Sequence, residues 1–529
     1  MRVLGILAAS AARSSTGWTA RPPHRRARAG RRAGRRAAAD LMIAALVLGS
    51  AALSAPLASA DGIDDIAVRG STTSVTMGGT TTQVTGETLY AYAKEGETLT
   101  LTATYKASDG NPRYYYAAVL TGPDGTTPAG APAAYEWGSG TDDFTATITA
   151  TATGVYSLWI YSYLYTDTAL PPTPASNSDN GRMYHLYAVD WTVAEDGVAQ
   201  PGRVWTKLLH LTQTSAWSQT AGLSVYVVQP NGSVYQVDYA DYNGLTGSLL
   251  YYDPFGNTAS GECVSAYASA TYDGKTAEYA PASASCGEKY NLFFDEPAAD
   301  LPASYVDADG VEHYILPTYQ APSKPTVAYQ QGTDKTAQLA GTFTVGTDNF
   351  VGSFEIHIDA NGNGIYDEAG IDLVVPGAVS ESPGSFTYEW DGLDASGNVV
   401  PRKTKVSARV DYTKMDELHS DLQDVEQSGG QTWTQLAGYA ASRAGGPVAA
   451  PLMWNDQPAT RTNYTAADVL PGISSAGDTT PNTHYWDSNI TTGYAPGATV
   501  ANGGFGNSSY IDTWTYVAVD ADSDPKMRT

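Results

Sequence analysis

Thr98-Leu-Thr-Leu-Thr-Ala-Thr-Tyr105 places Leu99, Leu101, Ala103 and Tyr105 at every second position, with threonines between them. Successive side chains of an extended chain leave opposite faces, so this stretch predicts a half-buried β-strand. The pattern returns in Thr145-Ala-Thr-Ile-Thr-Ala-Thr-Ala-Thr153, which Gly154 breaks before Val155-Tyr-Ser-Leu-Trp-Ile-Tyr-Ser162. Farther on, Tyr184–Val193, Leu223–Val228 and Val234–Tyr239 read the same way, the last two joined by a Pro230-Asn231-Gly232 turn. Helical periodicity is scarce, and 53 glycines and 29 prolines supply turns. These signals predict an all-β protein: several antiparallel β-sandwich (Ig-like) domains in tandem.

The first sixty residues read differently. They hold ten arginines, eight of them between Arg21 and Arg36, and then an apolar run from Leu41 to Leu57. The run ends in Ala58-Ser59-Ala60, followed by the acidic Asp61-Gly-Ile-Asp-Asp65. A basic region, a short apolar core and a small-x-small site predict a secretory signal peptide over 1–60, with the mature chain starting near Asp61. Gly49, Ser50, Ser54 and Pro56 interrupt the apolar run, so a retained membrane anchor is the weaker reading. The expected location is extracellular, secreted or at the cell surface, with no integral membrane segment after cleavage.

Removal of 1–60 leaves 20 basic against 54 acidic residues, a net charge of −34. Such a chain repels nucleic acid and anionic lipid and attracts cations. The two cysteines, Cys263 and Cys286, lie in the exported part, where an oxidising compartment makes a disulfide the default. Composition and linkers divide the rest into four regions: 61–196, a β-sandwich domain; 197–320, a β-rich domain with the disulfide; 326–426, an Ig-like domain; and 428–529, an irregular β-rich C-terminal region. Pro317–Pro325, with three prolines, marks the border before the third.

The sharpest local signal is Asp359-Ala-Asn361-Gly-Asn363-Gly364-Ile-Tyr-Asp367-Glu368-Ala-Gly370-Ile-Asp372. Side-chain oxygens at positions 1, 3, 5 and 9, with glycine at 6, match the front of an EF-hand-type calcium loop. Position 12 is Gly370 where a bidentate acid is expected, so Glu368 or Asp372 has to substitute. The flanks are strand-like, which excludes a helix–loop–helix hand. The expectation is a calcium site of Asp359, Asn361, Asn363, Asp367, Glu368 and Asp372 between two strands. The competing reading is a hairpin turn of the same residue types that binds nothing.

Next comes Trp390-Asp391-Gly392-Leu-Asp394-Ala-Ser-Gly397. Trp390 can bury while Asp391 and Asp394 organise the turn and Gly397 takes positive φ. This hairpin resembles that of Ig-like modules of the flagellar hook-capping (FlgD) type, although Arg402-Lys403-Thr404 departs from their pattern. The resemblance implies a fold for about residues 326–426 and no activity. Gly96-Glu-Thr-Leu-Thr-Leu101 and Gly154-Val-Tyr-Ser-Leu158 give the first region a layout similar to the pre-peptidase C-terminal type of secreted sandwich. Taken together the chain resembles multi-domain surface proteins of high-GC Gram-positive (actinobacterial) bacteria.

Enzyme motifs are missing: no H-E-x-x-H, G-x-S-x-G, P-loop or Rossmann glycine pattern occurs. The six histidines outside 1–60 are scattered, and His419 with Asp421, Asp424 and Glu426 reads as a solvated acidic run rather than a metal site. The low lysine count leaves few candidates for intramolecular Lys–Asn cross-links of the pilin kind. Tyr114–Tyr116, Trp159–Tyr163 and Tyr251-Tyr252 could stack on sugars, but alternation assigns most of them to cores. The expected function is a non-catalytic, calcium-stabilised, adhesin-like or structural component that meets the cell envelope or another extracellular surface. The rival is a secreted carbohydrate-binding protein or glycoside-active enzyme, with glycan as partner.

Overall fold

A computed structural model describes residues 67–68, 72–73, 84–85, 87–108, 114–138, 143–164, 185–212, 221–242, 248–259, 263–271, 279–282, 284–333, 339–423, 430–455, 483–484, 509–518 and 526–528. Residues 1–60, where a signal peptide is expected, and Asp424 and Glu426 lie outside them. The described chain is nearly all antiparallel β, with one short α-helix at Tyr439–Ala444 and a 3-10 turn at Ala284–Cys286 among its described residues.

Thr98–Ser108 is a strand, and Leu99, Leu101 and Ala103 are buried while the intervening threonines are half-exposed. It pairs with His185–Glu195 on one side and Phe144–Thr149 on the other. Its sheet continues through Leu209–Thr212 and Ser248–Asp253 to the long strand Ser407–Gln423 and then Ser509–Ala518. A second sheet runs from Tyr114–Thr121 through Gly154–Leu164, Glu87–Ala93, Ala221–Val228 and Val234–Tyr242 to Gly430–Ala437. The regions 61–196, 197–320 and 428–529 thus contribute strands to the same two sheets. One apolar core joins them, running from Leu89 and Leu101 through Trp191 and Val237 to Leu422, Trp433 and Ile511. The hairpin expected at Pro230-Asn231-Gly232 is present: Val228 faces Val234, and Gly232 turns at φ +85°. Arg203, wholly inside, meets both oxygens of buried Glu97 at 3.0 and 2.9 Å.

A second core lies within 326–423. Thr326–Gln331, Gly341–Thr347 and Gly384–Trp390 form a three-stranded sheet. Phe343, Val345 and Trp390 from this sheet pack with Phe354, Ile356 and Ile358, and with Ala408, Val410 and Tyr412 of the long strand. The Trp390 hairpin behaves as its residues predict. The indole is buried and donates to the Leu393 carbonyl at 2.8 Å. Asp391 accepts from the Leu393 N–H, Asp394 accepts from those of Ser396 and Asn398, and Gly397 sits at φ +80°.

The long strand serves both cores. Its first half pairs with Gly352–Asp359 and its second with Ser248–Asp253. A register shift between Met415 and Leu418 marks the changeover, where Asp416 takes φ +52°. The buried Asp416 carboxylate is held there by the Asn231 amide at 2.9 Å and the Tyr439 N–H at 2.6 Å.

Candidate functional site

The loop foreseen as a calcium site joins two paired strands, Gly352–Asp359 and Leu373–Val379. Asp359, buried at the strand end, gathers the turn. Its Oδ1 accepts from the N–H groups of Gly362 (2.7 Å) and Asn363 (3.2 Å), and its Oδ2 from that of Gly364 (2.7 Å). Gly362 and Gly364 stand at φ +72° and +85°, a region closed to most side chains, so the winding depends on them. The side-chain oxygens of Asn361 and Asn363 accept from Asn363 N (3.0 Å) and Ile365 N (2.7 Å). Their amide groups both donate to Glu368 Oε2, at 2.6 and 2.5 Å. Asp372 closes the ring, with one oxygen on the Ala360 N–H (3.0 Å) and the other on that of Glu368 (2.9 Å).

Asp367 departs from this group. Its Oδ1 lies 2.6 Å from His357 Nδ1 and its Oδ2 3.6 Å from an Arg409 nitrogen. The structure therefore brings Asp359, Asn361, Asn363, Glu368 and Asp372 around one loop and turns Asp367 toward the neighbouring strands. Among the described residues, no three His, Cys, Asp or Glu side chains group as a metal centre.

A second polar assembly was missed from sequence. His419 and Asp421, expected in a solvated acidic run, are buried together with Glu417 on one face of the long strand. They alternate with Leu418 and Leu422, which face the main core. The polar face is covered by the segment following Asp253. Its cysteines form the expected Cys263–Cys286 disulfide, and its Tyr267 ring lies against His419 and Trp514.

Within this layer His419 Nδ1 lies 2.8 Å from Asp512 Oδ1, and its Nε2 lies 3.6 Å from Glu417. Burial alone would depress the imidazole, but Asp512 and Glu417 outweigh it and push the pKa up to about 10. Tyr267 donates to Glu417 at 2.6 Å, with the Lys414 ammonium 3.5 Å from the centre of its ring. Asp421 lies directly opposite Asp512 and Tyr251 in the sheet. Burial raises its pKa well above the usual carboxylate range, and the charges of Asp512 and Asp253 raise it further.

The aromatic candidates divide. Tyr251 and Tyr252 are buried and Trp159 is half-buried; the side chains of Tyr114–Tyr116, Tyr161 and Tyr163 lie outside the described set. A cleft of about 960 Å³ opens elsewhere, lined by Tyr90, Lys207, Glu288, Tyr305, Asp307 and His313. There His313 Nε2 lies 2.9 Å from Asp307, and its ring stacks on Tyr305 at 5.2 Å. Among the described residues, no helix is long and apolar enough to cross a membrane.

No family model and no curated protein matches the chain. Among solved structures, dimeric latent PorU from Porphyromonas gingivalis is similar over 66% of this chain, at 12% identity and a TM-score of 0.14. The matched part spans 31% of that protein, and likeness of this depth bears on neither fold nor function.

Proposed function

We propose that this chain is a non-catalytic, calcium-stabilised structural or adhesin-like component that works outside the cell, at a surface or the cell envelope. The observation that carries the calcium reading is the winding of the Asp359 loop. One buried carboxylate draws three successive N–H groups inward, and the side chains at positions 3 and 5 of the same loop both reach Glu368. Hard oxygen donors of this kind suit calcium. Glu368, already against both asparagines, supplies the acid that Gly370 lacks, and Asp372 latches the loop through backbone N–H groups. The export reading rests on residues 1–60, and the high negative charge suits a soluble extracellular chain.

Calorimetric titration of the purified protein with calcium tests the site: saturable binding is expected, weakened at least tenfold in the Glu368→Gln variant. Absence of binding to the parent protein sinks the proposal. A second reading, glycan binding, is favoured by the cleft that sets Tyr90 and Tyr305 beside polar side chains. A glycan array with a Tyr305→Ala control decides it.

A further inference from the structure

The polar layer holds an amine and a carboxyl in a reactive arrangement. Asp253 ends its strand on the same face as Tyr251, directly opposite His419 and diagonal to Asp421. It is 4% exposed at its side chain. Its Oδ1 accepts two backbone N–H bonds, from Phe255 at 2.9 Å and Gly256 at 2.7 Å. Its Oδ2 contacts the Lys289 ammonium. Lys289 is held in place by its own backbone, since the next residue, Tyr290, donates its N–H to the Tyr252 carbonyl at 2.9 Å. The Lys289 nitrogen also lies 4.2 Å from the centre of the Tyr251 ring and 3.2 Å from the Ala282 carbonyl.

We propose that Lys289 and Asp253 are joined by an amide cross-link that the folded chain forms by itself. The reaction begins with transfer of the ammonium proton to the carboxylate inside this contact, where the Lys289 side chain is 22% exposed, and amine and acid are then both neutral. The Lys289 nitrogen attacks Asp253 Cγ and the C–N bond forms. The negative charge that develops on Oδ1 falls on the N–H groups of Phe255 and Gly256, which are already aimed at it. A proton is delivered to Oδ2, the C–Oδ2 bond breaks, and one water leaves while the nitrogen gives up its extra proton. No oxidant or reductant takes part. Two groups pinned in contact pay little entropy to react.

Asp421 is the proton carrier. It is buried, and apart from a loose contact with the Tyr251 hydroxyl neither of its oxygens makes a hydrogen bond. The charges of Asp253 and Lys289 both bear on it, and its neutral form is favoured, so it can give a proton to the leaving oxygen and take one from the nitrogen. Asp253 precedes Pro254, which has no N–H, so the cyclic imide through which aspartate ordinarily loses water cannot form there.

The test is the mass of the reduced, purified protein. It should fall one water short of the mass its sequence requires. After reduction, alkylation and trypsin, the peptide ending at Lys275 should remain attached to the peptide beginning at Thr276, with Lys289 uncut. Lys289→Arg and Asp253→Ala should restore full mass, and Asp421→Asn should leave most of the protein uncross-linked. Full mass in the parent protein, with two separate peptides, overturns the proposal whatever the variants do. A missing water that persists in both Lys289→Arg and Asp253→Ala overturns it as well.

Discussion

His419 and Asp512 meet diagonally across adjacent strands with 2.8 Å between nitrogen and oxygen, and neither side chain reaches solvent. A charged pair in such a place is costly to break, because removing one member strands the other without water.

That relationship predicts a pH dependence. The His419 pKa is raised from 6.5 to about 10 in the folded chain. A group whose folded pKa is raised stabilises fully below its unfolded pKa and loses that contribution as pH climbs through the folded value. Thermal stability should therefore decline from neutrality toward about pH 10. His419→Gln should be less stable by about 3–5 kcal/mol near neutrality and show a shallower decline. Parallel melting profiles for the two proteins across that range speak against the charged pair.

Gly256 should tolerate no side chain. It sits at φ +58°, and a Cβ there would stand 2.4 Å from Asp512 Oδ2 and 2.5 Å from His419 Nδ1. Backbone strain of about 1–2 kcal/mol adds to overpacking of about 1–3 kcal/mol in Gly256→Ala. Gly397→Ala, at φ +80° with no atom within 4 Å, should bear the strain alone. Denaturant midpoints for the two variants measure the difference, and equal losses would refute the close approach.

The disulfide should leave no thiol open to labelling without reductant. Its partners are separated by 23 positions, and closing such a loop is worth about 3.4 kcal/mol in the chain-entropy model. Replacing both cysteines by serine should lower stability by that order. The loss should be smaller if Lys289 and Asp253 are bonded, because their link already encloses the same loop.

Calcium should raise the melting temperature. Extracellular modules bind it at about 10⁻⁴–10⁻³ M, so ~10 mM ion contributes roughly 1.4–2.7 kcal/mol. Asp359→Ala should remove the response and also lower the calcium-free stability, since three N–H groups lose their acceptor. An identical calcium response in that variant would place the ion elsewhere.

Much of this architecture is legible one strand at a time. Alternation around Leu99 and Leu101, the Gly232 turn and the Trp390 hairpin are local features, and local chemistry determines them. Which strands pair is not local. Nothing near Val204–Thr206 announces that it lies between Glu87–Ala93 and Asn291–Phe293. The polar layer shows the same gap most clearly. Glu417, His419 and Asp421 alternate with leucines as a strand with one wet face would. Burial comes from a cover more than a hundred residues earlier in the chain, and no pattern within the strand encodes a cover. In the Asp359 loop the spacing picked out residues that gather around one turn, but the His357 and Arg409 side chains that draw Asp367 away come from neighbouring strand positions.

The seventeen-residue strand Ser407–Gln423 has a mechanical consequence. A hinge needs a stretch of chain that can bend without breaking pairings, and no such stretch separates the two cores along this path. Tension entering at one core passes into the other through a single backbone flanked by ladders on both sides. Sliding that strand lengthwise requires many hydrogen bonds to rupture together rather than one after another. The Asp416 bulge, locked from three directions, acts as a catch against the slide. A chain so built resists being drawn out, and under pull its outer strands should peel before the shared one moves.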